Sequence, residues 1–160
     1  MTPHDHAWTD DLTGRIDELL EEYRAHLSGA LDDLTEEEAR RRLVPSATTL
    51  LGLLKHVTYV ERVWFDQAVT GTSLRDLGVA STPTRSFALR RDDTIASVRE
   101  AHRRACEDAR RHLADLAPDD EVRGRGLRAV WALRLQVLRE LAHHSGHADI
   151  LREQVLAARE

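Results

Sequence analysis

The stretch "LRLQVLRELAHHSGHADILRE" (133–153) decides how the chain is read. At about 100° per residue, Leu133, Val137, Glu140, His144, His147 and Leu151 fall in one helical sector roughly 80° wide. Apolar residues at both ends of this row aim it at a core. Its middle is polar: Glu140, His144 and His147 stand where a bundle helix ordinarily carries Leu or Val, and such groups are costly to bury unpaired. Asp149 and Glu153 project from the opposite side, toward solvent. Glu140 and His144 are four residues apart, so their side chains lie one turn from each other and can converge on a single point.

Three further segments share the helical period. One runs from about Asp10 to Leu31, with Ile16, Leu19, Leu20, Tyr23, Leu27 and Leu31 as its apolar stripe. A second starts after Thr48 or Thr49, runs through "TLLGLLKHVTYVERVWFDQAV" and stops near Gly71. A third begins at Asp93 or Thr94 and reaches Ala117, with Ile95, Val98, Ala105, Ala109, Leu113 and Leu116 inward. The opening stretch belongs to a fourth, from about Leu127 to Ala158. Between the first two, "TEEEARRR" (35–42) has capping-box spacing at Thr35 and Glu38 and predicts a short connecting helix. No segment sustains two-residue alternation. The expectation is an all-α four-helix bundle spanning 1–160 as one domain. Residues 72–92 lack a period, so one crossover is long, and connections of that length tend to be functional or mobile. "PDDEVRGRG" (118–126) reads as a loop.

The composition narrows the class. A net charge of −5 argues against a nucleic-acid partner. No run of 18 or more apolar residues and no leader pattern is present, so the expectation is a cytoplasmic protein with no membrane partner. Cys106 is the only cysteine, which suits a reducing compartment. Lys55 is the one lysine among 23 basic residues. Aromatic residues make up 4% of the chain, which predicts an aliphatic core.

The second helix offers a counterpart to the polar row. His56 shares a face with Leu53, Val60 and Val63, so it too points inward. Two facing helices can bring His56, Glu140 and His144 together around a divalent cation, and bundle interiors do hold such sites. Three protein ligands with an open position is the arrangement of a catalytic zinc rather than a structural one. Taken singly, His56 reads equally as a core histidine bonded to a carbonyl, and Glu140–His144 as a local hydrogen-bonded couple.

Together, "VPSATTLLGLLKHVTYVERVWF" (44–65) and "LRELAHHSGHADILRE" (138–153) resemble the two signature segments of the DinB-like (YfiT-like) superfamily, in its actinobacterial branch related to mycothiol-dependent maleylpyruvate isomerase-type enzymes. Pro45, Ser46, Thr49, Leu50, Leu51, Gly52, Leu53 and His56 carry the first match. Glu140, His144, Gly146, His147, Ala148 and Asp149 carry the second. The resemblance implies a metal set of His56, Glu140 and His144, with zinc or nickel bound. His147 is then implied in the second shell or near the open position, while His143 lies beside the seam, exposed. That isomerase type has a further C-terminal domain contributing to its active site, so the isomerase reaction itself is not implied.

The leading expectation is a metal-dependent S-transferase that activates a low-molecular-weight thiol of mycothiol type toward an electrophile. A metal-dependent hydrolase and a non-catalytic metal-binding or stress-response module, as a homodimer, are the alternatives. No further catalytic residue stands out.

Four weaker features complete the reading. His102 and Cys106 sit four apart, a spacing open to a second metal pair but better read as a buried thiol beside a satisfied histidine. "HDHAW" (4–8) can bind metal adventitiously but is better read as a frayed terminus. Arg123, Arg125 and Arg128 surround the start of the fourth helix and could draw an anion there, but are better read as an ordinary basic loop. Trp64 and Trp131 are expected as core.

Overall fold

The computed structural model describes residues 11–159. Four of the helices begin where a side chain satisfies the first free N–H groups. Helix α1 (Leu12–Gly29) starts at Asp11, whose carboxylate accepts from Gly14 N at 2.8 Å. The short α2 (Glu36–Ala39) carries the reciprocal box between Thr35 and Glu38 that its spacing predicts. Helix α3 (Leu50–Glu61) is capped by Thr49, not Thr48: the Thr49 hydroxyl accepts from Gly52 N at 3.0 Å. It runs on through a π-helical segment (Arg62–Gln67) into α4 (Ala68–Thr70), and Gly71 ends it in the left-handed conformation, φ 77°. Helix α5 (Ile95–Leu113) is capped by Thr94, and α6 (Val130–Ala157) completes the set.

The four long helices form a bundle. Helix α3 is central: of its twelve residues only Lys55 escapes burial. A helix apolar all round must be covered on every side, and α5, α6 and the 72–92 crossover supply the cover. Helix α1 packs chiefly on α6. Its junction with α5 is polar instead, with Arg110 on Glu21 at 2.7 and 2.9 Å and Arg99 donating to Ser28 O at 2.7 Å. Leu20, Leu27, Leu51, Leu53, Leu54, Leu133 and Leu141 are essentially inaccessible. Each such burial contributes about 1.5–3 kcal/mol relative to exposure. No helix among the described residues is long and apolar enough to cross a membrane.

Two connections depart from the expected pattern. Residues 118–129 are not a plain loop before an early helix start. They fold back as a hairpin, β1 (Glu121–Val122) against β2 (Arg128–Ala129), and α6 begins only at Val130. Strands of two residues are too short to show alternation in a sequence. Gly124 locks this hairpin onto the end of α4: its N–H donates to Ala68 O at 2.9 Å, and a Cβ there would sit 2.0 Å from Gln67 O. The 72–92 crossover lies across α3, and its 3-10 turn (Thr84–Phe87) packs against that helix. Gly52 makes room for it, since a Cβ at 52 would approach Phe87 O to 2.8 Å.

The core also holds a charged pair that periodicity hid. Arg24 sits on the buried face of α1 and forks onto Glu61 of α3, Nε to Oε1 and Nη2 to Oε2 both at 2.8 Å. Glu61 is 1% exposed. His102 and Cys106 of α5 are buried close by, with Sγ 3.5 Å from Nε2. Burial pushes the Cys106 thiol far up, against metal-ligand use. Trp131 departs from the expectation of a core role. It is 48% exposed, on the outer face of α6 next to Leu135 at 45%. Trp64 is half-buried against the core, with the Arg125 guanidinium 5.5 Å above its ring.

Candidate metal centre

His56 reaches the interior from the middle of α3 and meets the face of α6 one turn beyond Val137. The three residues singled out by spacing come together there: one ligand atom each from His56, Glu140 and His144, all within 4.8 Å of one another. Glu140 Oε2 lies 3.5 Å from His144 Nε2 and 4.0 Å from His56 Nε2. The two imidazoles meet edge to face with centroids 4.5 Å apart.

Hydrogen bonding orients the His56 ring. Ser86 donates its only hydroxyl hydrogen to Pro83 O at 2.5 Å, so toward His56 Nδ1, 2.6 Å away, its oxygen can only accept. This network assigns the proton to Nδ1 and leaves a lone pair on Nε2, the atom that faces Glu140 and His144. Phe87 stacks on the same ring at 4.0 Å, 9° from parallel. On the other helix, His144 Nδ1 lies 3.3 Å from His147 Nδ1. Glu140 Oε1 accepts weakly from Gln136 at 3.4 Å and Arg139 at 3.3 Å, which leaves Oε2 turned to the imidazoles.

Burial pushes the His56 imidazole down to about 4, helped by neighbouring His144 and opposed by the Pro83 carbonyl. Burial likewise lowers His144 to about 4; the Glu140 carboxylate opposes this, while His147 and His143 add to it. Both rings are therefore neutral near pH 7, the form in which imidazole binds a metal. Two donors at about 2.1 Å from one zinc lie at most about 4.2 Å apart. Both measured separations to Glu140 fall inside that limit, and the 4.8 Å bound exceeds it by an amount a small side-chain rotation removes. The donor set fits a divalent cation.

The polar row is rotated slightly from its expected aim. His144 is buried, Glu140 is half-buried at the rim and His147 is exposed. The continuous buried line runs instead through Val137, Leu141, Ser145, Ala148 and Leu151. His143, Asp149 and Glu153 are exposed, as expected. Ser86 and Phe87 were not foreseen: they arrive from the aperiodic crossover, whose length was its only signal. The 4–8 stretch lies outside the described residues. At the start of α6, Val130 N already donates to Asp120 O and Trp131 N to Pro118 O, each at 2.9 Å. Arg125 turns away to Gln67 at 2.8 Å and Arg128 to the Leu127 carbonyl. Two of the N–H groups that an anion would meet at that helix end are therefore already engaged, which accords with an ordinary basic loop.

A bundle of four long helices with one small hairpin agrees with the DinB-like class that the two sequence segments resemble. Residues 15–157 match the family model described as mycothiol-S-transferase, so the chain belongs to the mycothiol S-transferase family. No curated protein and no solved structure matches it.

Proposed function

We propose that the protein is a metal-dependent S-transferase that joins mycothiol to an electrophilic small molecule, with His56, Glu140 and His144 as ligands of one zinc or nickel ion. The observation that carries this reading is the convergence of three acceptor atoms with no protein cation between them. When bound, the divalent ion supplies Lewis acidity that lowers the pKa of a thiol brought to its open side. The chain's own residues do the rest. Ser86 and Pro83 hold the His56 tautomer, and His147 does the same for His144 by accepting from its Nδ1–H. Phe87 covers the His56 ring and keeps water from that flank. Glu140, at the rim, is the one ligand bordering solvent, so the incoming thiol approaches past it and past exposed His147. In the transfer a sulfur–carbon bond forms, the electrophile's leaving group departs with its electron pair, and the thiol proton passes to solvent.

This reading sets the protein in the cytoplasm, where a single unpaired cysteine is unexceptional. It is also compatible with a homodimer built on the exposed row of Leu127, Trp131 and Leu135.

The test is conjugation of mycothiol to 1-chloro-2,4-dinitrobenzene by metal-loaded protein. Turnover should vanish on chelation and return with zinc or nickel, and His56→Ala should abolish it while the helical circular dichroism survives. Stoichiometric metal binding without turnover toward any electrophile would leave a metal-binding module. Ester or amide cleavage without thiol would make the site a hydrolase.

A further inference from the structure

Between α3, the crossover and the start of α5 lies a cavity of about 790 Å3. Its walls are the Lys55–Thr58–Tyr59 side of α3, the crossover from Arg75 to Arg90, and the first turns of α5. Neither Glu140 nor His144 lines it; it shares with the metal centre's surroundings Ser86 and Tyr59, whose ring lies 6.1 Å from that of His56. Volumes of about 300–1,000 Å3 are usual for small-molecule sites. The later part of the crossover is tied to α3 at two points, the Lys55–Asp93 pair at 2.6 Å and the Ser86–His56 bond.

The lining has two characters. Val79, Ala80, Leu89 and Val98 make an apolar floor. Above it stand four cations, Lys55, Arg75, Arg85 and Arg90, against one acid, Asp93. That acid is already engaged: it accepts from Lys55 Nζ and from Arg90 N, both at 2.6 Å. Among the described residues, neither the Arg75 nor the Arg85 side chain has a hydrogen bond or an ion pair. A concentration of unmatched positive charge on a concave, partly apolar surface runs against a chain whose net charge is −5. Such a surface complements a ligand of opposite charge.

We propose that this cavity is a second binding site, separate from the metal centre, and that it takes a small organic anion whose apolar body lies on Val79, Leu89 and Val98 and whose carboxylate, sulfonate or phosphate group meets Arg75 and Arg85. The site stands whether or not the transferase reading does, because none of the three proposed metal ligands lines it.

The test uses the whole chain and 8-anilinonaphthalene-1-sulfonate, an apolar body with one anionic group, followed by fluorescence. One probe should bind per chain, with an affinity that weakens as salt rises. The pair Arg75→Ala and Arg85→Ala, both exposed on the crossover, should weaken it at least tenfold. The neutral N-phenyl-1-naphthylamine should bind equally to wild type and to that variant. Ala101→Trp, at the α5 wall, should weaken both probes. Thermal melts without probe report whether each variant keeps the wild-type transition, and the arginine pair alone decides the matter if Ala101→Trp does not fold. Absence of saturable binding to wild type, or equal affinity of the sulfonate for wild type and the arginine variant, overturns the proposal.

Discussion

Helix α3 buries two polar clusters five residues apart, and they are built on opposite principles. At Glu61 the anion meets its cation: Arg24 supplies a fork whose two N–H groups match the two carboxylate oxygens. At His56 the partners are Glu140 and His144, and all three present acceptors toward one another. The first cluster is complete without any addition; in the second, Arg139 reaches only Glu140 Oε1, and no cation of the chain lies on the Oε2 side that faces the imidazoles. Burial of polar groups therefore does not by itself mark a site. What marks it is convergence of acceptors that no donor of the chain satisfies.

Four measurements would break or sharpen this contrast. The largest effect belongs to the completed cluster. Glu61→Ala strips the buried Arg24 guanidinium of its fork partner and leaves only Glu21 on Nη1, at 2.6 Å, and should cost about 3 kcal/mol in urea unfolding while metal stoichiometry in the folded protein stays at wild type. Loss of metal binding with no loss of stability would reverse the roles assigned to the two clusters.

Ser86→Ala acts on the other side. Removing the acceptor of His56 Nδ1–H frees the ring to change tautomer, and metal affinity should fall about 10–100-fold with little change in the metal-free unfolding midpoint. An unchanged affinity in isothermal titration would show that Ser86 does not hold the imidazole.

The pH dependence of the metal-free protein comes next. His56 and His144 have folded-state values near 4, depressed by burial from 6.5. Between about pH 6.5 and 4 the unfolded chain therefore binds protons that the folded chain does not. Stability should be full above 6.5 and decline as pH falls through that window. In denaturant melts run at successive pH values, His56→Ala should flatten this part of the curve, and a curve identical to wild type would remove His56 from the explanation.

The smallest effect is expected when both partners of the completed cluster are replaced together. Arg24→Met with Glu61→Leu swaps a matched pair for apolar groups of similar volume, and should be near neutral or modestly stabilising. A loss as large as that of Glu61→Ala alone would mean that the ion pair is needed to specify the packing of α1 on α3.

The same contrast explains what could be read from the chain in advance. His56, Glu140 and His144 each interrupt an apolar stripe, so the 3.6-residue period both reveals them and orients them, and four long helices follow from the same signal. Arg24 and Glu61 are hidden by it. A single charge beside apolar residues looks like the solvated edge of a helix, and only the fold shows that two such edges face each other. Ser86 and Phe87 are hidden for another reason: an aperiodic segment carries no information about which residue touches what. His147 shows the limit of angular precision, since a rotation of a few tens of degrees separates a core position from an exposed one that still touches His144.

Gly52 carries one further consequence. Its missing side chain is what lets the Phe87 carbonyl lie against α3, and Phe87 adjoins the serine that steadies His56. A methyl group added there would lift the crossover, and the imidazole one turn along would lose its tether without being touched. The chemistry of this protein is thus exposed to remote control from a position that bears no functional group at all.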